Sequence, residues 1–232
     1  MKVLAINGSP RKSWNTHTLL EHAVEGARSM GATAELIHLY DLNYRGCTAC
    51  FRCKTRHSRT YGRCAMSDDA TGVLRRFSEL EGVVIGSPIY FGSLTSQTRA
   101  FLERLLFQYM TYTEPVMSLA PRPVRVALIY TMNCDQQRAA ELGYPQHFLR
   151  LEEAVLRIFK SVESSWCYDT LQFSDYSKYV ADRFDPIKKA QRHANDFKLD
   201  CQRAFELGRW ATGSTPLFHH VPSQAQPAAR VT

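Results

Sequence analysis

Short apolar runs alternate along the chain with longer segments whose apolar residues recur every three or four positions. The short runs are typical of buried strands, and the periodic segments are typical of helices that cover a sheet. The runs predict five strands, at Lys2–Ile6, Thr33–Leu39, Gly82–Gly86, Val124–Tyr130 and within Val162–Leu171. Five strands that alternate with helices predict a parallel sheet covered on both faces.

Capping residues and glycines predict where the helices begin and end. The first helix is expected to begin near Asn15 or Thr16, both favourable N-caps, and to stop at Gly31. Further helices are predicted after Asp68–Asp69, from Thr95 to about Tyr109, around Phe148–Ile158, and from Asp185 to Gly208. The apolar stripe of the last helix runs through Phe184, Ile187, Ala190, Ala194, Phe197, Cys201 and Ala204.

The 232 residues fit one domain with additions. We expect a domain at 1–208 with a cysteine-rich basic loop at 42–67, followed by a Ser/Pro/Gln/Ala-rich extended tail at 209–232. With 44% hydrophobic and 22% charged residues, the composition is that of a globular protein. The start of the sequence has no signal-peptide pattern and no apolar run is long enough for a bilayer span, which predicts a cytoplasmic protein.

The formal net charge of +7 is confined to one segment. Residues 42–67 hold six basic side chains and no acidic one. The rest of the chain is nearly neutral, and no nucleic-acid motif accompanies the basic segment. A general polyanion-binding surface is therefore disfavoured, and we expect no nucleic-acid partner.

In parallel sheets, ligands bind beyond the carboxyl ends of the strands, which directs attention to the loops there. The loop after the first strand, residues 8–16, combines a glycine, short polar side chains and two cations ahead of a helix N-terminus. This pattern suits a phosphate monoester, although an ordinary capped turn explains it as well. The next candidate, residues 87–94, is predicted to be a loop. Its two aromatic residues either line a planar ligand or pack on the core.

The two loops together resemble the flavodoxin-like NAD(P)H-dependent FMN reductases, including the iron–sulfur flavoproteins. The resemblance rests on Gly8-Ser-Pro-Arg-Lys-x-x-Asn-Thr16, on Gly86-Ser-Pro-Ile-Tyr-Phe-Gly92 and on Ser96-Gln-x-x-x-Phe-Leu-Glu-Arg104. It covers roughly residues 2–170. It implies a flavodoxin-like three-layer α/β sandwich with a five-stranded parallel sheet in the order 2-1-3-4-5 and helices on both faces.

The resemblance also implies which residues bind FMN. The phosphate would be bound by Ser9, Arg11, Ser13, Asn15 and Thr16. The isoalloxazine would be lined by Pro88, Ile89, Tyr90, Phe91 and Gly92, and closed on the other side by Thr131, Met132 and Asn133. The last loop lacks the glycines often found there in the family. No catalytic acid or base is assigned, because the flavin itself carries the redox chemistry.

Four of the seven cysteines lie in one short stretch, Cys47-x2-Cys50-x2-Cys53-x10-Cys64. The odd total and the crowding favour metal or redox chemistry over a disulfide framework. Thiolates at this spacing suit a [4Fe–4S] cluster, which six basic residues would partly neutralise. The iron–sulfur flavoproteins carry a similar run with a shorter final gap, so this chain departs from their pattern at Cys64. Zinc and a metal-free, thiol-bearing loop remain alternatives.

The function implied is an FMN-dependent oxidoreductase that takes hydride from NAD(P)H. Electrons would pass to a quinone, a free flavin, a metal ion or an iron–sulfur centre. The alternative is a non-enzymatic FMN and iron–sulfur electron carrier with a protein partner. A homodimer or higher homo-oligomer is expected from the apolar stretch that follows the helix 95–109, with Phe107, Tyr109, Met110, Tyr112 and Met117.

Overall fold

The computed structural model describes residues 1–213, which contain six strands and six α-helices. The strands are β1 Lys2–Asn7, β2 Thr33–His38, β3 Gly82–Tyr90, β4 Ser93–Leu94, β5 Val124–Thr131 and β6 Lys160–Cys167. The helices are α1 Asn15–Ser29, α2 Asp69–Arg76, α3 Ser96–Tyr109, α4 Gln136–Glu141, α5 Tyr144–Phe159 and α6 Pro186–Ala211. From residue 214 onward, the predicted tail lies outside the described residues.

Five of the strands form one parallel sheet in the order β2-β1-β3-β5-β6. Counted along the chain without the two-residue β4, this is the order 2-1-3-4-5 that the resemblance implies. The short strand β4 pairs antiparallel with the end of β3. The predicted parallel α/β sheet is therefore confirmed.

Side chains alternate between the two faces of the sheet and bury a separate core on each. In β3, Val83 packs in the core with residues of α2, α3 and α5, whereas Val84 packs with residues of α1 and α6. Successive residues of a strand point to opposite faces, so a continuous apolar run is buried on both sides. Asp68 caps α2 as predicted, in a capping box with Thr71.

Helices α1 and α6 pack backbone to backbone at two glycines. A Cβ added at Gly208 would lie 1.8 Å from the carbonyl oxygen of Ala23, and one at Gly26 would lie 2.0 Å from that of Phe205. The prediction that Gly208 ends the last helix is therefore wrong. This glycine permits close helix packing, and α6 continues to Ala211.

The first turns of α6 depart from the predicted apolar stripe. Ile187 is 69% exposed, whereas Lys189 is only 4% exposed. The buried stripe begins at Phe197 instead. Within residues 1–213, no helix has both the length and the apolar character that a bilayer span requires.

Candidate cofactor-binding site

A cleft of about 340 Å³ opens where β1, β3 and β5 end. Its size and position are those of a small-molecule site in a parallel α/β sheet. It is lined by Ser9, Arg11, Trp14, Asn15, Thr16, Pro88, Ile89, Tyr90, Thr131, Met132, Asn133, Thr170, Gln172, Phe173 and Phe184. Most residues of the predicted FMN site thus lie together. Ser13, Phe91 and Gly92 do not line the cleft.

The first wall is the loop between β1 and α1, which is held tightly against α3. The Gly8 N–H donates to the Gly86 carbonyl at 2.8 Å, and the Thr95 hydroxyl donates to the Gly8 carbonyl at 2.7 Å. A Cβ at Gly8 would lie 1.8 Å from the Thr98 hydroxyl oxygen, so only glycine fits there. The next residue, Ser9, is thereby fixed at the floor of the cleft, where it is 4% exposed.

Helix α1 begins at the cleft without a side-chain cap. The N-cap residue is Trp14 and not Asn15 or Thr16, and its side chain makes no capping hydrogen bond. Its indole N–H donates instead to the Leu171 carbonyl at 2.9 Å. The N–H groups of the first helical turn, together with the positive end of the helix dipole, are therefore left for an anionic ligand.

The polar side chains of this wall also hold a later part of the chain in place. The Asn15 amide donates to the Leu171 carbonyl at 2.8 Å, and an Arg11 guanidinium nitrogen donates to the Gln172 carbonyl at 2.6 Å. The Arg11 guanidinium also stacks over the Trp14 ring at 3.9 Å. These bonds hold Leu171 and Gln172 against the first wall, and Gln172 lines the cleft.

The second wall is a β-hairpin, where the sequence predicts a loop at residues 87–94. Strand β3 continues to Tyr90, and Ile89 and Tyr90 pair with β4. The turn residues Phe91 and Gly92 both have positive φ, 51° and 74°, as two-residue hairpin turns require. At this turn the Phe91 side chain is fully exposed to solvent. Pro88, Ile89 and Tyr90 line the cleft. Burial raises the pKa of the Tyr90 hydroxyl.

The third wall joins the loops that follow β5 and β6. The Thr170 N–H donates to the Met132 carbonyl at 2.9 Å, and the Met132 N–H donates to the Cys167 carbonyl at 3.0 Å. Beneath them, the buried Lys189 ammonium from α6 donates to the Asn133 carbonyl at 2.8 Å, to the Asn133 side chain and to Asp169. Lys189 thus ties together two loops that line the cleft.

Sequence reasoning missed the part of the cleft contributed by Trp14 and by residues 170–184. The usable signal was the aromatic content of the segment between β6 and α6. Its rings pack on each other, with Phe173 and Tyr179 stacked at 4.0 Å between centroids. Phe173 and Phe184 both reach the cleft.

The cysteine segment runs along α3, away from the cleft floor. Cys53 is buried, Cys47 and Cys64 are half-buried, and Cys50 is exposed. No group of three or more His, Cys, Asp or Glu side chains in residues 1–213 is close enough to hold a metal ion. Burial raises the pKa of the Cys53 thiol, Lys54 lowers it, and Cys64, Cys47 and Cys50 raise it, so these three thiols lie within electrostatic range of Cys53.

Two cations fix this segment to α3. The Lys54 ammonium donates to the Phe107, Gln108 and Met110 carbonyls at the end of the helix. This is a favourable place for a positive charge. Arg104 of α3 is fully buried, donates to the Arg45 carbonyl of the segment at 3.3 Å and pairs with Asp68, just after the segment, at 2.7 Å. Lys54 is therefore a structural cation and not part of the exposed basic surface.

Comparisons with known proteins agree with this geometry. The sequence model of the family described as NADPH-dependent FMN reductase matches residues 1–132. An iron–sulfur flavoprotein of Archaeoglobus fulgidus is 40% identical over 104 residues, which are 45% of this chain and 48% of that protein. One of Methanocaldococcus jannaschii is 35% identical over 104 residues, 45% of this chain and 51% of that protein. The match thus spans about half the length of these relatives.

Solved structures share the fold at low sequence identity. The NAD(P)H:quinone oxidoreductase of Methanothermobacter marburgensis superposes with a TM-score of 0.66 at 15% identity, covering 90% of this chain and 98% of that one. An azoreductase of Bacillus anthracis str. Sterne superposes with a TM-score of 0.60 at 16% identity, covering 90% of this chain and 99% of that one.

Proposed function

Because the chain belongs to the NADPH-dependent FMN reductase family, we propose that it is an FMN-dependent oxidoreductase. It takes hydride from NAD(P)H and passes electrons to a quinone, a free flavin, a metal ion or an iron–sulfur centre. Residues 1–208 act as one FMN-binding domain. The observation that carries the proposal is the uncapped N-terminus of α1, which opens into a cleft of suitable size.

The first wall has the groups that an FMN phosphate needs. Ser9 and Thr16 offer hydroxyl groups, Arg11 offers positive charge, and the first turn of α1 offers free N–H groups. Ser9, Arg11 and Thr16 all line the same cleft, and anions bind favourably at such helix ends. Asn15 lines the same cleft, and its amide holds the Leu171 carbonyl.

The other two walls suit a planar ring system. Bound FMN would supply the redox chemistry, taking a hydride from NAD(P)H at N5 and releasing electrons to the acceptor. Pro88, Ile89 and Tyr90 form one side, and Thr131 and Met132 form the other. Phe173 and Phe184 extend the apolar lining of the cleft.

We further propose that Cys47, Cys50, Cys53 and Cys64 hold a [4Fe–4S] cluster. Four thiols in a cationic segment suit such a cluster, and relatives of this chain are named iron–sulfur flavoproteins. Ala49 and Phe51, which separate the first three cysteines, both have positive φ. Such conformations are uncommon outside glycine and often accompany functional sites. Zinc and an empty loop are the alternatives that the next experiment distinguishes.

Protein purified without oxygen should show flavin absorbance at about 375 and 450 nm and contain about four irons per chain. Adding NADPH should bleach the flavin band. Cys50→Ala should lose almost all iron and keep FMN, whereas the matched control Cys134→Ala, outside the segment, should keep both. Protein that binds no flavin would overturn the proposed function. Flavin without iron would overturn the cluster alone.

The exposed basic side chains favour an electron carrier as the second candidate. Arg45, Arg52, Arg56, Arg59 and Arg63 are all exposed, and within residues 1–213 none forms a salt bridge. Unpaired charge of one sign is suited to docking an acidic protein partner. Slow oxidation of NADPH by a protein that is quickly reduced by another electron carrier would favour this candidate.

We propose a homodimer built on the stretch after α3. Tyr109 is buried in its own core, but Tyr112 is 68% and Met117 60% exposed. Aromatic residues and methionine are enriched at interface cores. Light scattering at micromolar concentration should give twice the chain mass, and Tyr112→Asp with Met117→Asp should give the monomer. A monomeric parent protein would contradict the dimer.

A further inference from the structure

Helix α3 carries two buried side chains whose hydrogen-bond donors are only partly used. Arg104 is 1% and Gln108 4% exposed. They are four residues apart and therefore lie on the same face of the helix. Within residues 1–213, no partner is found for Nε and Nη2 of Arg104 or for Nε2 of Gln108. Buried donors of native proteins are rarely left unpaired, so each such group calls for an acceptor.

The bonds that these side chains do form fix their orientation. Arg104 Nη1 donates to both oxygens of Asp68, at 2.8 and 2.7 Å, which leaves Nε and Nη2 for another acceptor. Gln108 Oε1 accepts the backbone N–H of Cys64 at 2.9 Å. The amide nitrogen of Gln108 therefore lies beside the Cys64 residue that the amide oxygen already contacts.

Cys64 is the neighbour that both side chains share. Gln108 Oε1 accepts the Cys64 N–H, and Arg104 Nη1 also donates to the carbonyl of Arg45 in the cysteine segment at 3.3 Å. The Cys64 side chain lies within interaction range of the Arg104 guanidinium. The Cys53 thiol lies within interaction range of Cys64 and also of Cys47 and Cys50. The unused donors therefore adjoin the cysteine segment and are remote from the phosphate wall, which is at the opposite end of α3.

We propose that Arg104 and Gln108 donate hydrogen bonds to the sulfur atoms of the group that Cys64 ligates, and thereby raise its reduction potential. The inference rests on the [4Fe–4S] cluster of the proposed function. Hydrogen bonds to sulfur stabilise the reduced, more negative cluster relative to the oxidised one. The buried positive charge of Arg104 acts in the same direction.

The test is a redox titration of anaerobically prepared protein at pH 8, followed by absorbance and electron paramagnetic resonance. Arg104→Lys keeps the charge opposite Asp68 and removes Nε and Nη2. Gln108→Glu keeps the acceptor for the Cys64 N–H and replaces the donor with a carboxylate oxygen. Each should lower the ratio of reduced to oxidised cluster at a fixed potential about tenfold, the effect of one lost hydrogen bond, or about 59 mV for one electron.

Matched controls make the same changes at exposed positions. Arg99→Lys on α3 and Gln202→Glu on α6 should leave the potential unchanged. Loss of iron from Gln108→Glu with FMN retained would also support the proposal, because this variant keeps the bond to Cys64 and adds only repulsion from sulfur. Should Arg104→Lys fail to fold, Gln108→Glu decides alone.

Two results would overturn the inference, and they differ. If both variants contain four irons per chain and keep the reduction potential of the parent protein, these side chains do not face the sulfur atoms. That result would overturn the inference and leave the proposed cluster unaffected. A parent protein with FMN and no iron would remove the cluster and this inference together, and would leave the FMN function intact.

Discussion

Replacing Ser9 by aspartate should lower the affinity for FMN about thirtyfold or more, a loss of about 2 kcal/mol in binding free energy. Ser9 lies at the floor of the cleft and is 4% exposed. Its hydroxyl oxygen accepts the Arg11 N–H at 3.1 Å, and Ser9 lines the same cleft as Asn15 and Thr16 at the uncapped start of α1. A carboxylate there would repel the phosphate in a poorly solvated place. Titration of flavin-free protein with FMN, followed by fluorescence, measures the change.

Ser13 provides the matched control. It belongs to the same loop and was expected from the resemblance to contact the phosphate, but it is exposed and does not line the cleft. Ser13→Asp should therefore lower the affinity much less than Ser9→Asp. Ser9→Ala, which adds no charge, should bind FMN within a few-fold of the parent. Equal affinities for Ser9→Asp and the parent would remove the phosphate from this loop.

The sheet could be predicted from the sequence because its strands are buried on both faces. A strand that is buried on both faces is a continuous apolar run in the sequence, without alternating polar residues. A run such as Val83–Ile85 can therefore be identified as a strand without knowing which strands it pairs with. The start of α2 could be predicted for a similar reason. Asp68 and Thr71 form a local capping box, which depends only on neighbouring residues.

The turn at Phe91–Gly92 shows what a local pattern leaves undecided. The sequence predicts a strand that ends at Gly86 and a loop at residues 87–94, which is led by a proline and holds two aromatic residues. In the structure, β3 continues past Pro88 and turns back through two residues of positive φ. The hairpin then sends Tyr90 to the cleft and Phe91 to solvent. Only the pairing with β4 decides which aromatic residue faces which way.

The cysteine segment marks another limit. The spacing of Cys47, Cys50 and Cys53 predicts thiols in one tight loop, and the structure does keep the first two within electrostatic range of Cys53. Spacing alone does not set the distances between sulfur atoms, and residues 1–213 contain no assembled metal site. The donors of Arg104 and Gln108 had no signature in the sequence, because their relation to Cys64 spans about forty residues.

Lys189 is the residue of the site that sequence reasoning was least able to find. The periodicity of the last helix placed Ile187 in the core and gave Lys189 no role. A buried lysine is stable only where acceptors surround it. Its acceptors here lie 56 and 20 residues away along the chain, at Asn133 and Asp169. The tertiary arrangement therefore decides which face of α6 is buried.

Lys189→Met should lower the free energy of unfolding by about 2–3 kcal/mol and the affinity for FMN by about tenfold. The variant leaves Asp169 and the Asn133 carbonyl without their cation, and breaking a buried pair costs about 3–5 kcal/mol. We expect the lower value because the Asp169 side chain is 33% exposed. The affinity should fall because Asn133 and Thr170, which line the cleft, lose the group that ties their loops together.

The matched control is Lys188→Met, an adjacent lysine of the same helix that is exposed. It should change stability by less than about 0.5 kcal/mol and leave FMN binding intact. Urea unfolding of the flavin-free proteins isolates the stability term, and FMN titration at low temperature, where the variant is folded, isolates the affinity. Since α6 lies outside the matched residues 1–132, unchanged FMN binding in a destabilised Lys189→Met would restrict this lysine to holding the fold. A loss in both measurements would mean that α6 completes the FMN site that β1, β3 and β5 begin.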